Sequence, residues 1–201
     1  VLAIAVFVWI FLKRINSKKR KPIVLSEYLT TLETPLDCYS AVSLLMPIAL
    51  SLKSKHDAGT ISLHIFPAGI GVTESGCVLL ENNDKPTERF LSPEQRKGTF
   101  AGIPADIYAF CAVLDYMLEA SVQNLEVRGD DAECRELRQI IKRGLSEKAS
   151  ARYSTMQELI FDLAPFNRGI SAESLRPFNK KISLTRKSAI TSEAKSLISA
   201  E

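Results

Sequence analysis

Twelve apolar residues, Val1 to Leu12, open the chain, and the basic stretch Lys13 to Lys21 follows them without a break. A bilayer needs about 20 apolar residues, so the run is short for a complete span. A signal-peptide core carries its charge ahead of the apolar run, not behind it, and a buried helix is the remaining reading. The sequence begins with valine, so the pattern predicts the end of a transmembrane segment. Its basic flank then puts everything downstream on the cytoplasmic face of a single-pass membrane protein.

After a short spacer, Pro22 to Leu25, the periodicity turns helical. Ser26 is placed to cap a first short helix that Pro35 ends. A longer helix is predicted from Leu36 or Asp37 to His56, with Leu44, Leu45, Ile48, Ala49 and Leu52 on one face, Pro47 inside it and Gly59 just beyond it. Period-two runs then predict strands at Ile61 to Phe66, Ile70 to Thr73 and Cys77 to Leu80. Glu74-Ser75-Gly76 supplies the turn of a hairpin. Asn82 to Arg89 is polar loop. Pro104 to Ala120 is apolar on nearly every side, the pattern of a helix at the centre of a domain. Another polar loop, Gln123 to Asp131, leads to helices at Cys134 to Gly144 and Thr155 to Leu163, the second with Ser154 as its cap. Beyond Pro165 the chain is rich in Ser, Thr and Lys, which suits solvated chain or a weak amphipathic helix. The resulting division is 1–12 membrane segment, 13–24 basic linker, 25–166 one mainly α domain and 167–201 tail.

Charge changes the picture little. The formal net charge is +3, and the six Lys and Arg residues between Lys13 and Lys21 exceed it, leaving −3 elsewhere. The basicity is local, so no nucleic-acid partner is implied. Four cysteines, Cys38, Cys77, Cys111 and Cys134, are widely spaced, with no Cys-x-x-Cys pair and only two histidines beside them. No zinc site is suggested. The expectation is four free, mostly buried thiols in a reducing compartment.

Three strings, in order, carry a resemblance. They are Arg89-Phe90-Leu91-Ser92-Pro93-Glu94-Gln95, then Ala105-Asp106-Ile107-Tyr108-Ala109, then Ile141-Lys142-Arg143-Gly144-Leu145-Ser146 continued by Ala151-Arg152-Tyr153-Ser154-Thr155-Met156. Together they resemble the large, C-terminal lobe of the eukaryotic-type Ser/Thr protein kinases of bacteria, over about Leu25 to Phe166. The resemblance implies a helical lobe with a small β-hairpin. It also implies structural roles: Glu94 should pair with Arg152, and Asp106 should turn inward to accept backbone N–H bonds near Ser62 and Leu63.

The same resemblance locates the positions where kinase chemistry would sit. Phosphoryl transfer is mostly positioning and charge stabilisation, by an aspartate base, an asparagine and an aspartate on magnesium, a lysine–glutamate pair and a glycine-rich loop. Here Ser62-Leu63-His64 stands where the family has His-Arg-Asp. Phe66 stands at the phosphate-contacting lysine, Gly69 at the metal-binding asparagine, and Asn82-Asn83-Asp84 near Asp-Phe-Gly. Asp84 and Glu81 are the nearest carboxylates that could serve a metal. No Gly-x-Gly-x-x-Gly or Val-Ala-x-Lys string occurs in the chain, and Lys13 to Leu25 is too short to hold a nucleotide-covering N-terminal lobe.

The resulting expectation is a membrane-tethered, pseudokinase-like module without catalytic residues, cofactor or metal. It would bind ATP poorly and act through contact with a cytoplasmic protein. Two rivals are a divergent kinase with residual ATP-dependent activity, which would depend on Asp84 and not on His64, and an unrelated membrane-anchored helical interaction protein. Tail hydroxyls such as Ser183, Thr185, Ser188, Thr191 and Ser192 lie beside basic residues and offer acceptors to another kinase.

Overall fold

A computed structural model of the chain describes residues 21–32, 36–81, 84–122 and 132–170. The apolar run Val1 to Leu12, the basic stretch up to residue 20 and the tail from residue 171 lie outside the described residues. Among those described, no helix is long and apolar enough to cross a membrane.

Two helices form the centre. α2 (Cys38–Asp57) is capped by the Asp37 side chain, which accepts the Ser40 N–H. α4 (Ile103–Val122) buries Ile107, Phe110, Val113, Leu114 and Met117. The two pack together with α5 (Ala132–Gly144) and α6 (Met156–Leu163) around them. On α2 the stripe of Leu44, Leu45, Ile48, Ala49 and Leu52 is wholly buried, as a period near 3.6 requires. Each such leucine or isoleucine contributes roughly 1.5–3 kcal/mol of transfer free energy. Gly59 closes the helix end at φ +73°, donating to the His56 carbonyl.

A three-stranded antiparallel sheet covers one side, in the order β1 (Ile23–Val24), β2 (Ile70–Thr73), β3 (Gly76–Leu79). Ile23 pairs with Val72 and Val24 with Gly71. The hairpin sits on α2 with its turn over Pro47. A Cβ on Gly76 would lie 2.7 Å from the Pro47 ring and 3.2 Å from the Leu44 carbonyl, and its φ is +112°. Gly76→Ala should therefore lose at least about 1–3 kcal/mol from backbone strain alone, readable as a lower urea midpoint with an unchanged slope.

Several expectations need correction. Ile61 to Phe66 is not a strand: the backbone N–H groups of Ser62 and Leu63 are taken by a side chain, and Leu63 adopts φ +51°. Pro22 to Leu25 is more than a spacer, because β1 runs directly into α1 (Leu25–Thr31). The helix therefore begins before Ser26, which does not cap it. The last helix is capped by Thr155, whose hydroxyl accepts the Glu158 N–H, while Ser154 lends only its own N–H to Glu158. Nor are all four cysteines free thiols. Cys38 and Cys134 form a disulfide, their Cα atoms 5.9 Å apart across a sequence separation of 96, and only Cys77 and Cys111 are free, both buried.

Candidate functional site

Asp106 lies in the first turn of α4 with its side chain fully buried. Its carboxylate accepts three hydrogen bonds: from the Ser62 N–H at 2.8 Å, the Leu63 N–H at 2.6 Å and His56 Nε2 at 2.9 Å. A buried charge is tolerated only when satisfied in this way. The bonds hold the 61–66 segment against α4 and keep Leu63 in the left-handed region, which costs a non-glycine residue on the order of 1 kcal/mol. His56, in the last turn of α2, has a side chain only 5% exposed. In the sequence it is no more than the last residue of the predicted helix. The signal that could have found it is its spacing, four residues beyond Leu52 and eight beyond Ile48 on the buried face of α2.

The segment that Asp106 anchors carries the positions singled out above. Ser62 is half-buried, while Leu63 and His64 are exposed. His64 Nε2 donates to the Asp84 carbonyl at 2.8 Å, so this nitrogen carries a proton and is not a free base. Phe66 is buried, with the His64 ring edge-on to it at 5.1 Å. Gly69 ends the tight turn Pro67–Gly69, and a Cβ there would meet the Phe66 ring at 3.2 Å. Phe66 has thus folded back over the position that a larger side chain at 69 would need. Asn82 lies outside the described residues; Asp84 and Glu81 are exposed. Among the described residues, no three of His, Cys, Asp and Glu converge as metal ligands. Two open hollows, of 340 and 440 Å³, lie elsewhere, one bordered by Tyr153 and Phe161 and the other by Asp115 and Lys142.

A second close approach lies beside the segment. A Cβ on Gly71 would come within 2.5 Å of the Pro22 Cβ and 2.9 Å of a Leu80 methyl. Pro22, leading into β1, and Leu80, following β3, thus fill the space on that face of β2.

The Glu94–Arg152 pair is the other polar centre. Ser92 and Gln95 form a capping box at α3 (Pro93–Arg96), which presents Glu94. Arg152 has a fully buried side chain and uses all five of its N–H donors. Two go to the Glu94 carboxylate at 2.7 and 2.9 Å, and the rest to the carbonyls of Ser146, Pro104 and Glu147. The guanidinium also lies 5.0 Å from the Tyr108 ring centroid. Burial pushes the Glu94 carboxyl up. The hydrogen bonds and charge of Arg152, with a backbone N–H and Ser92, outweigh it and hold Glu94 below the ordinary carboxylate range.

No family model matches the chain. Over 124 residues it is 28% identical to the probable serine/threonine-protein kinase PknB of Corynebacterium glutamicum, a stretch covering 53% of this chain and 18% of that protein. Among solved structures, the PknI kinase domain of Mycobacterium tuberculosis superimposes with a TM-score of 0.56 at 15% identity, over 71% of this chain and 61% of that one. A single-site mutant of the same domain gives 0.60 at 16%, over 72% and 62%. The chain spans less than a fifth of the length of the curated kinase. At the identities of the solved structures the likeness is one of fold.

Proposed function

Given a chain with the fold of the bacterial eukaryotic-type serine/threonine protein kinases, we propose that it is a non-catalytic, pseudokinase-like module that acts by holding a protein partner. The observation that carries this reading is the apolar pair of Phe66 and Gly69. At the positions where the family uses a lysine for phosphate and an asparagine for metal, a buried ring rests against a residue with no side chain. Neither can grip a triphosphate. His64, at the base position, has its Nε2 proton committed to the Asp84 carbonyl. What the fold retains is the scaffold around Asp106 and Arg152, which shapes surface rather than chemistry.

In this reading the module is tethered by Val1 to Leu12, with Lys13 to Lys21 on the cytoplasmic side of the membrane, and its partner is a cytoplasmic protein rather than nucleic acid.

Titrating the purified chain with ATP and magnesium tests the proposal by thermal melting. A native-state ligand present at about a hundred times its Kd adds roughly 2.7 kcal/mol, which at this size raises Tm by about 5–10 °C. No shift is expected at millimolar ATP. A clear rise would sink the reading and favour the divergent kinase.

A further inference from the structure

We infer that the Cys38–Cys134 bond is a reversible modification site, a pair of thiols that exchanges with thiol reductants and so decides whether the start of α5 is fastened to α2. The inference does not depend on the proposed function.

The position of both sulfurs is the first argument. Cys38 is the first residue of α2 and Cys134 lies in the first turn of α5. First-turn N–H groups lack intrahelical acceptors, and at α5 they and the positive end of the helix dipole favour a thiolate over a thiol at Cys134. A Cys134 thiolate stabilised in this way is a good leaving group, which speeds its release from a mixed disulfide. At α2 the Asp37 carboxylate already caps the helix end through the N–H and hydroxyl of Ser40, and Cys38 is buried, so this help falls to Cys134 and not to Cys38.

Access is the second argument. Cys38 is 2% exposed, while Cys134 is partly exposed. Attack therefore falls on the Cys134 sulfur. A reductant thiolate bonds to Cys134 Sγ, and the electron pair of the S–S bond leaves on Cys38 Sγ, which then takes a proton. A second reductant thiolate attacks the reductant's own sulfur in the mixed disulfide, so Cys134 leaves as thiolate and is protonated in turn. The reductant, a dithiol or two molecules of a monothiol such as glutathione, ends as a disulfide and supplies both electrons. Cys77 and Cys111 take no part: burial pushes both thiols up to about 12.

The third argument is what the bond holds. The far end of α5 is fixed by packing, since a Cβ on Gly144 would fall on the buried Cys111 sulfur, and just beyond it the Ser146 carbonyl is held by Arg152. The near end is fixed to α2 covalently. Opening the bond should loosen that end alone.

The whole chain is poised in mixtures of reduced and oxidised glutathione, its free thiols are alkylated and mapped by mass spectrometry, and amide hydrogen exchange is followed in parallel. Cys38 and Cys134 should become labelled together, before reduced glutathione reaches about a hundredfold excess. Cys77 and Cys111 should stay unlabelled until denaturant is added. Exchange at 135–138 should speed up by at least about tenfold on opening, with Phe110 to Leu114 unchanged. A bond still shut at that excess is a permanent staple, and a pair labelled even in fully oxidised glutathione never forms; either result overturns the proposal. In the Cys38→Ser, Cys134→Ser double variant, exchange should ignore the glutathione mixture, and a response there would equally reject it.

Discussion

Arg152→Lys should destabilise the domain almost as much as Arg152→Ala, by about 3–5 kcal/mol, although the charge is kept. The planar guanidinium makes five bonds, two of them to Glu94 and three to backbone carbonyls from two stretches of chain, Pro104 and Ser146-Glu147. An ammonium is a compact centre with three donors and cannot reproduce the fork. Alanine leaves Glu94 charged and the carbonyls of Ser146, Glu147 and Pro104 without their donor; lysine restores only part of that. Equilibrium urea unfolding measures both losses. In a double-mutant cycle, Glu94→Ala and Arg152→Ala should couple strongly, and additive effects would remove the pair from its place at the centre of the lobe.

The pair also gives stability a pH dependence. Because the Glu94 carboxyl is held low in the folded state, the unfolded chain binds the proton more readily. This contribution is fully present above the ordinary carboxylate range and is lost as pH falls through the folded value. Glu94→Gln should flatten that part of the acid limb.

The second large effect is expected at Asp106. Asp106→Ala removes the acceptor for two backbone N–H groups and for His56. Each orphaned donor costs about 1–3 kcal/mol, so a loss of about 3–5 kcal/mol is expected. Asp106→Asn should recover little, since an amide NH₂ would face a donor where the carboxylate met one. The distinguishing readout is local: the amides of Ser62 and Leu63 should exchange faster than can be explained by the drop in global stability. If they keep their protection relative to the rest of the chain, Asp106 is not what holds the segment.

The elements legible in the sequence were those whose cause is local. Glu74-Ser75-Gly76 between two period-two runs is turn chemistry, and the hairpin formed there. The stripe from Leu44 to Leu52 is helical periodicity, and it is buried. The misreadings share the opposite property. Ile61 to Phe66 alternates like a strand, but its N–H groups are claimed by Asp106, more than forty residues away. β1 is two residues long and exists because β2 lies beside it. Cys38 and Cys134 are neighbours only once α2 and α5 have packed. At the site, the residues at 64, 66 and 69 could be singled out one at a time from the resemblance. That Phe66 covers the space beside Gly69, and that His56 completes the Asp106 cluster, required the folded chain.

The two-residue strand has a mechanical meaning. Because Ile23 and Val24 are hydrogen-bonded across to Val72 and Gly71, and Pro22 is wedged over the bare α-carbon of Gly71, a tug on the polypeptide ahead of Pro22 would be felt by the hairpin before it reached the first helix. The grip at that point is short, so tension from upstream would peel it first and leave the helices untouched.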